Sequence, residues 1–152
     1  MTKKITIAID AMGGDNSPDK TIEGVSFFLK KNLSKNDFLL NLFGDETKII
    51  EKLEKYKIQT DLVKITHTNS TISDEDTPLT AIKNSKNTSM WNCIKSQIEG
   101  DSDISLSAGN TGVLLIISRM ILKMITKVSK PALAGLWPSK DGVNVVLDLG
   151  AN

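Results

Sequence analysis

Apolar positions along the chain recur in two rhythms. Ile5 to Asp10 ("ITIAID") alternates and is rich in β-branched residues, which predicts a strand. Ser17 and Pro18 then give a cap-and-proline start to a helix whose inward stripe is Ile22, Val25, Phe28 and Leu29. "FLLNLFG" (Phe38 to Gly44) predicts a second strand. Asp45 caps a second helix striped by Ile49, Leu53 and Tyr56, and Asp61 to Thr66 predicts a third strand. Thr77 and Pro78 repeat the start signal for a short helix through Lys83. A further helix runs from Ser89 to Glu99 and stops at Gly100. Asp103 to Ser107 predicts a fourth strand, followed by a helix from the "GNTG" turn to about Ile125. Ala132 to Trp137 and Val143 to Leu149 predict two more strands around a turn at Lys140 to Gly142.

Strands alternating with helices imply right-handed crossovers: an α/β chain with a mostly parallel sheet and helices on both faces. The last strand, Val143 to Leu149, is the most apolar and is expected to be central and buried on both faces. The sequence stops at "DLGAN", just where a crossover helix would follow such a strand. The expectation is therefore a truncated fold, the front part of a larger α/β protein.

At 152 residues the chain suits one domain. A hydrophobic content of 39% with 24% charged residues excludes a disordered chain, and a net charge of +1 with no polybasic patch gives no ground for a nucleic-acid partner. Cys93 is the only cysteine and His67 the only histidine. Cys93 lies in a helical pattern and reads as a small buried hydrophobe, and the two give no ligand spacing for a metal. The N-terminal strand leaves no room for a signal sequence, and "GVLLIISRMILKMI" is broken by Arg119 and Lys123, so a cytoplasmic protein without a span is expected.

Three loops carry the candidate chemistry: "DAMGGD" (Asp10 to Asp15), "SAGNTG" (Ser107 to Gly112) and "DLGAN" (Asp148 to Asn152). Each follows a predicted strand, and open parallel sheets bind ligands at the carboxyl ends of their strands. Each joins glycine to small polar residues, so a ligand can approach the backbone closely. The helix start at Asn110, Thr111 and Gly112 offers N–H groups and positive dipole charge to an anion and reads as a phosphate or oxyanion seat. "GG" at Gly13 and Gly14 is not a dinucleotide fingerprint, and "GNTG" lacks the lysine of a Walker loop.

"IAIDAMGGD", "SAGNTG", "KPALAG" and "VLDLGAN", in this order and spacing, closely resemble the PlsX-type phosphate acyltransferases of bacterial phospholipid synthesis. The similarity runs from Ile5 to Asn152, roughly the first half of a family member. The resemblance implies a Rossmann-like three-layer α/β/α sandwich. It implies transfer of a fatty acyl group from acyl carrier protein to inorganic phosphate, with no cofactor and no metal. It also implies a homodimer at full length and a peripheral association with the membrane. Asn110 and Thr111 become the candidate catalytic residues. Asp10, Gly13, Gly14, Asp15, Lys83, Lys86, Ser107, Gly109, Gly112 and Asn152 become the candidate phosphate- or substrate-binding residues. Phosphate is itself a nucleophile, so no serine or cysteine nucleophile is needed; proximity and an oxyanion site suffice. Asp10 and Asp15 suit ordering of the glycine loop better than direct contact with phosphate. Two departures stand out. Asn16 and Ser17 stand where the family reads His-Gly, and "AIKNSKNTSM" keeps only Lys83 and Lys86 of a strongly basic stretch. Two other readings stay open: a nucleotide- or dicarboxylate-binding oxidoreductase on a related fold, and an inactive fragment or binding remnant.

Overall fold

The computed structural model describes residues 4–32, 37–58, 61–73, 80, 83–147 and 149. In chain order the elements are β1 (Ile5–Asp10), α1 (Asp19–Lys31), β2 (Phe38–Gly44), α2 (Glu46–Lys55), β3 (Val63–His67), α3 (Ser89–Glu99), β4 (Ile104–Leu106), α4 (Thr111–Ile121), β5 (Ala134–Ser139) and β6 (Gly142–Leu147). The first four strands form one parallel sheet in the order β3-β2-β1-β4. The Thr77–Pro78 helix start lies outside the described residues.

Alternation along the strands sends residues to two faces. Ile7, Ile9, Leu40 and Leu42 meet Ile22, Val25 and Leu29 of α1 and Ile49 and Leu53 of α2. Ala8 and Phe43 point the other way, onto Cys93 of α3. Met90 and Ile94 of α3 pack in turn on Val113 and Ile117 of α4. The sheet thus lies between helices on both faces, the expected α/β/α layering of a Rossmann-like fold.

Local chemistry sets the helix ends. Asp45 caps α2 by accepting from the Lys48 N–H at 3.2 Å, and Thr88 caps α3 by accepting from the Trp91 N–H at 3.2 Å. Gly100 closes α3 at φ +82°, the left-handed conformation that glycine takes without strain. Tyr56 links the two helices on its face by donating to Asp19 at 3.2 Å.

Some expectations are corrected. Ser17 does not cap α1: its hydroxyl donates to the Gly13 carbonyl, and the helix begins at Asp19 with no side-chain cap. Phe28 is partly exposed and sits edge-on to Phe38, with ring centroids 5.0 Å apart. The helix after "GNTG" ends at Ile121, not Ile125, because Leu122 turns extended. The largest correction concerns the last strand. β6 is not a central strand of the parallel sheet. It pairs only with β5, antiparallel, as a two-stranded ribbon. The short Lys140–Asp141 link explains this: two residues can reverse the chain into a hairpin but cannot carry a parallel crossover. Val143, Val145 and Leu147 are accordingly 66%, 64% and 63% exposed.

Candidate functional site

β1 and β4 are neighbours in register, Ile7 beside Ile104 and Ile9 beside Leu106. Their following loops therefore leave the same sheet edge side by side. Contact between them is backbone on backbone. A Cβ on Gly13 would lie 2.6 Å from Asp10 Oδ2, 2.8 Å from Ser107 Oγ and 2.9 Å from Gly109 N. Gly14 adopts φ +88°, and a Cβ there would lie 2.8 Å from the Ala108 carbonyl oxygen. Gly13, Gly14 and Gly109 let the two loops touch.

Asp10 lies beneath this contact and is only 2% exposed. Its Oδ2 accepts from the Ser107 hydroxyl at 2.7 Å, and its Oδ1 accepts from the Met12 N–H at 3.3 Å. Ser107 Oγ in turn accepts from the Gly109 N–H at 3.1 Å. At the start of α4, Asn110 Oδ1 accepts from the Val113 N–H at 3.1 Å, and the Asn110 carbonyl accepts from the Leu114 N–H at 2.9 Å. Thr111 and Gly112 form the remainder of the first turn. They line a polar cleft of about 490 Å³ together with Gly14, Asp15 and Gly109. A second cleft of about 370 Å³ shares Gly14, Asp15 and Ala108 with the first and reaches the start of α1.

The structure thus brings together Asp10, Gly13, Gly14, Asp15, Ser107, Gly109, Asn110, Thr111 and Gly112. Lys83 and Lys86 are exposed and line neither cleft. Asn152 lies outside the described residues. The third loop does not leave a strand of the parallel sheet, since β6 belongs to the ribbon. Sequence reasoning misses Ser17, Lys20 and Thr21 as cleft residues; all three line the second cleft. Lys20 sits in the first turn of α1, where it pairs with Glu23 at 2.9 Å. Counting from Pro18 would flag it as a cation next to the glycine loop.

Neither Cys93 nor His67 offers a nucleophile–base pair. Burial, reinforced by the nearby Asp10 charge, pushes the Cys93 thiol up to about 12, and its Sγ donates to the Leu106 carbonyl at 3.7 Å. His67 accepts from the Glu46 N–H at 3.2 Å through Nδ1, and its Nε2 lies 2.7 Å from Asn69 Oδ1. Both ring nitrogens are thus engaged, Nδ1 at the start of α2 and Nε2 just past the end of β3.

Burial also raises the Asp10 carboxyl above the ordinary carboxylate value of 3.8, against hydrogen bonds from Ser89, Ser107, Met12 and Gly13. A raised value means that the folded chain holds this proton more tightly than the unfolded one. Folding is then favoured by acid over the window from 3.8 up to the raised value. The stability of the wild type relative to Asp10→Asn should be greatest at the acid end of that window. It should fall as pH rises through the raised value and then stay level. Urea unfolding over a pH series checks this. A difference that grows with pH would mean that the hydrogen bonds outweigh burial.

Residues 5–152 match the family described as fatty acid synthesis protein. The chain is 50% identical over 154 residues to the phosphate acyltransferase of Pelagibacter ubique, an alignment covering 100% of the chain and 44% of that relative. It is 41% identical to the phosphate acyltransferases of Parvibaculum lavamentivorans and Bradyrhizobium diazoefficiens, with 99% of the chain and 41% and 42% of those relatives covered. The chain spans less than half the length of these curated relatives. Two glycine loops locked over a buried aspartate, with a helix start opening on a polar cleft, therefore belong to a member of the fatty acid synthesis protein family, of the PlsX-type phosphate acyltransferases.

Proposed function

We propose that this chain carries the phosphate-holding part of an enzyme that moves a fatty acyl group from acyl carrier protein to inorganic phosphate. A phosphate oxygen attacks the thioester carbonyl, the carbon–sulfur bond breaks, and the carrier leaves as a thiolate that takes up a proton. The products are acyl phosphate and free carrier. The observation that carries this reading is the start of α4. Its Thr111 and Gly112 N–H groups line a polar cleft between two glycine loops, where the helix dipole favours an anion. The same groups suit the oxyanion of the tetrahedral intermediate. Asn110 supports the seat as the helix cap.

In this reading residues 1–152 form the N-terminal part of a single α/β domain, and activity belongs to the whole protein. The whole protein is a homodimer in the cytoplasm that associates with the membrane peripherally. Among the described residues no helix is long and apolar enough to cross a membrane.

The test is release of free carrier from acyl carrier protein thioester by the whole protein. Release should require inorganic phosphate and yield acyl phosphate. Release independent of phosphate, or oxidation of a nicotinamide substrate instead, overturns the reading. In the same assay Asn110→Ala should cut turnover several-fold, on the scale of the about 1 kcal/mol that a lost helix cap costs, because the seat is no longer pinned. Cys93→Ala should leave turnover unchanged and lower only stability. Equal loss in both folded variants would reverse the assignment.

A further inference from the structure

The hydrogen bonds beneath the two loops have a direction, and that direction decides which N–H groups are left for an anion. An ionised carboxylate has no hydrogen to give. As a carboxylate Asp10 receives at both oxygens, from Met12 N–H at Oδ1 and from the Ser107 hydroxyl at Oδ2, with Ser89 and Gly13 as further donors. The single hydroxyl hydrogen of Ser107 is thereby committed to Asp10. Its lone pair faces Gly109 and takes that residue's N–H at 3.1 Å. Gly109 N–H is thus turned inward, and Val113 N–H is held by Asn110. Within the first turn of α4, Thr111 and Gly112 then turn toward the cleft they line.

We propose that Asp10 is a positioning residue that acts through Ser107 on Gly109, fixing the "SAGNTG" loop so that Thr111 and Gly112 present their N–H groups to the bound anion. This rests on the reading of the α4 start as a phosphate seat. Asp10 does not touch the anion; a negative charge in contact with phosphate would repel it. Lodged below Gly13, it sets the geometry of the seat from underneath. An asparagine at this position has nearly the same shape but one acceptor oxygen where Asp10 offers two to Met12, Ser107, Ser89 and Gly13. Its amide must either oppose the Met12 N–H or donate to Ser107 and compete with Gly109.

The experiment uses inorganic phosphate as the probe. Its binding is followed by phosphorus NMR, and the Gly109 amide proton shift is recorded in parallel. The proteins are the wild type, Asp10→Asn, Ser107→Ala, Ser107→Thr and the Asp10→Asn/Ser107→Ala pair. Each of the first two single changes should weaken phosphate binding roughly tenfold, the scale of one charge-assisted hydrogen bond. The double variant should be no weaker than the worse single, because both act on one chain of bonds. Ser107→Thr should retain most of the affinity, since it keeps the hydroxyl. The Gly109 amide should move upfield in Asp10→Asn, although Asp10 makes no bond to it. Additive losses with an unmoved Gly109 shift overturn the proposal, as does a Ser107→Thr protein as weak as Ser107→Ala. A wild type that binds no phosphate overturns the seat itself, and the Gly109 shift in Asp10→Asn then decides the relay alone. Should Asp10→Asn fail to fold, the contrast between Ser107→Ala and Ser107→Thr decides in its place: retained binding in the threonine variant supports the relay, and equal weakness overturns it.

Discussion

Gly13→Ala is expected to destabilise the chain by about 2–3 kcal/mol, the cost of forcing a methyl group into a filled space. It should also abolish phosphate binding. The new carbon would lie inside contact distance of three atoms at once: Asp10 Oδ2, Ser107 Oγ and Gly109 N. Rotating one side chain away cannot relieve this. Asp10 is buried, Ser107 is bonded on both sides, and Gly109 N is backbone. The two loops must separate, and with them goes the geometry of the α4 start. Gly24→Ala supplies the contrast. Gly24 lies within α1, and nothing lies within 4 Å of a Cβ built there. Alanine is the better helix former, so this change should stabilise by about 1 kcal/mol. Urea unfolding of the two variants beside the wild type decides. Opposite expectations for the same substitution leave little room for a generic effect, and a Gly13→Ala protein as stable as wild type would show that the loops are not in contact.

The second large effect concerns the β5–β6 ribbon. In its register Leu136 faces Val145, Ala134 faces Leu147 and Pro138 faces Val143. Residues paired in this way project to the same side, so one face of the ribbon is wholly apolar. Leu136 is 76% exposed there, and its partner strand is exposed almost as fully. A lone two-stranded ribbon is marginal in water, and an uncovered apolar face of this kind recruits other surfaces. The 152-residue chain should therefore self-associate in a concentration-dependent way and show no measurable acyl transfer by itself. Leu136→Glu combined with Val145→Lys places opposite charges across from each other, keeping the strand pair while removing the apolar face. Sedimentation should show this double variant as a monomer. A wild type that stays monomeric at every concentration, or a double variant that still associates, defeats the expectation.

Much of this fold is legible in the sequence because its signals are local. Pro18, Asp45 and Gly100 punctuate the chain, and the stripe of Ile22, Val25 and Leu29 has the period of a helix. The bounds of β1 and β2 follow to the residue for the same reason. Val143 to Leu149 misleads because an apolar run looks alike in a buried central strand and in a ribbon whose face is uncovered; hydropathy does not record the neighbours. The site is legible as residue types, through the glycines and the small polar residues at strand ends. Its wiring is not. Nothing in the spacing of Asp10 and Ser107 shows that one accepts from the other, or that Gly109 spends its N–H inside the loop. Lys83 and Lys86 draw attention by charge, yet charge alone does not say where a side chain stands relative to a cleft.

The Ser107–Asp10 bond spans 97 residues, as does the bond from Thr6 N–H to Asp103 at the other end of β4. β1, β2 and β3 can pair through much shorter excursions, but the pocket does not exist until this long loop has closed. Closing it costs chain entropy, which the three register pairs of β4 and the packing of Cys93 on Ala8 and Phe43 must offset. The anion seat is thus expected to assemble late on the folding route and to open before β1 and β2 do. A ligand bound there stabilises only the closed chain, so rising phosphate concentration should slow amide hydrogen exchange across β4 and the start of α4 more than across β2.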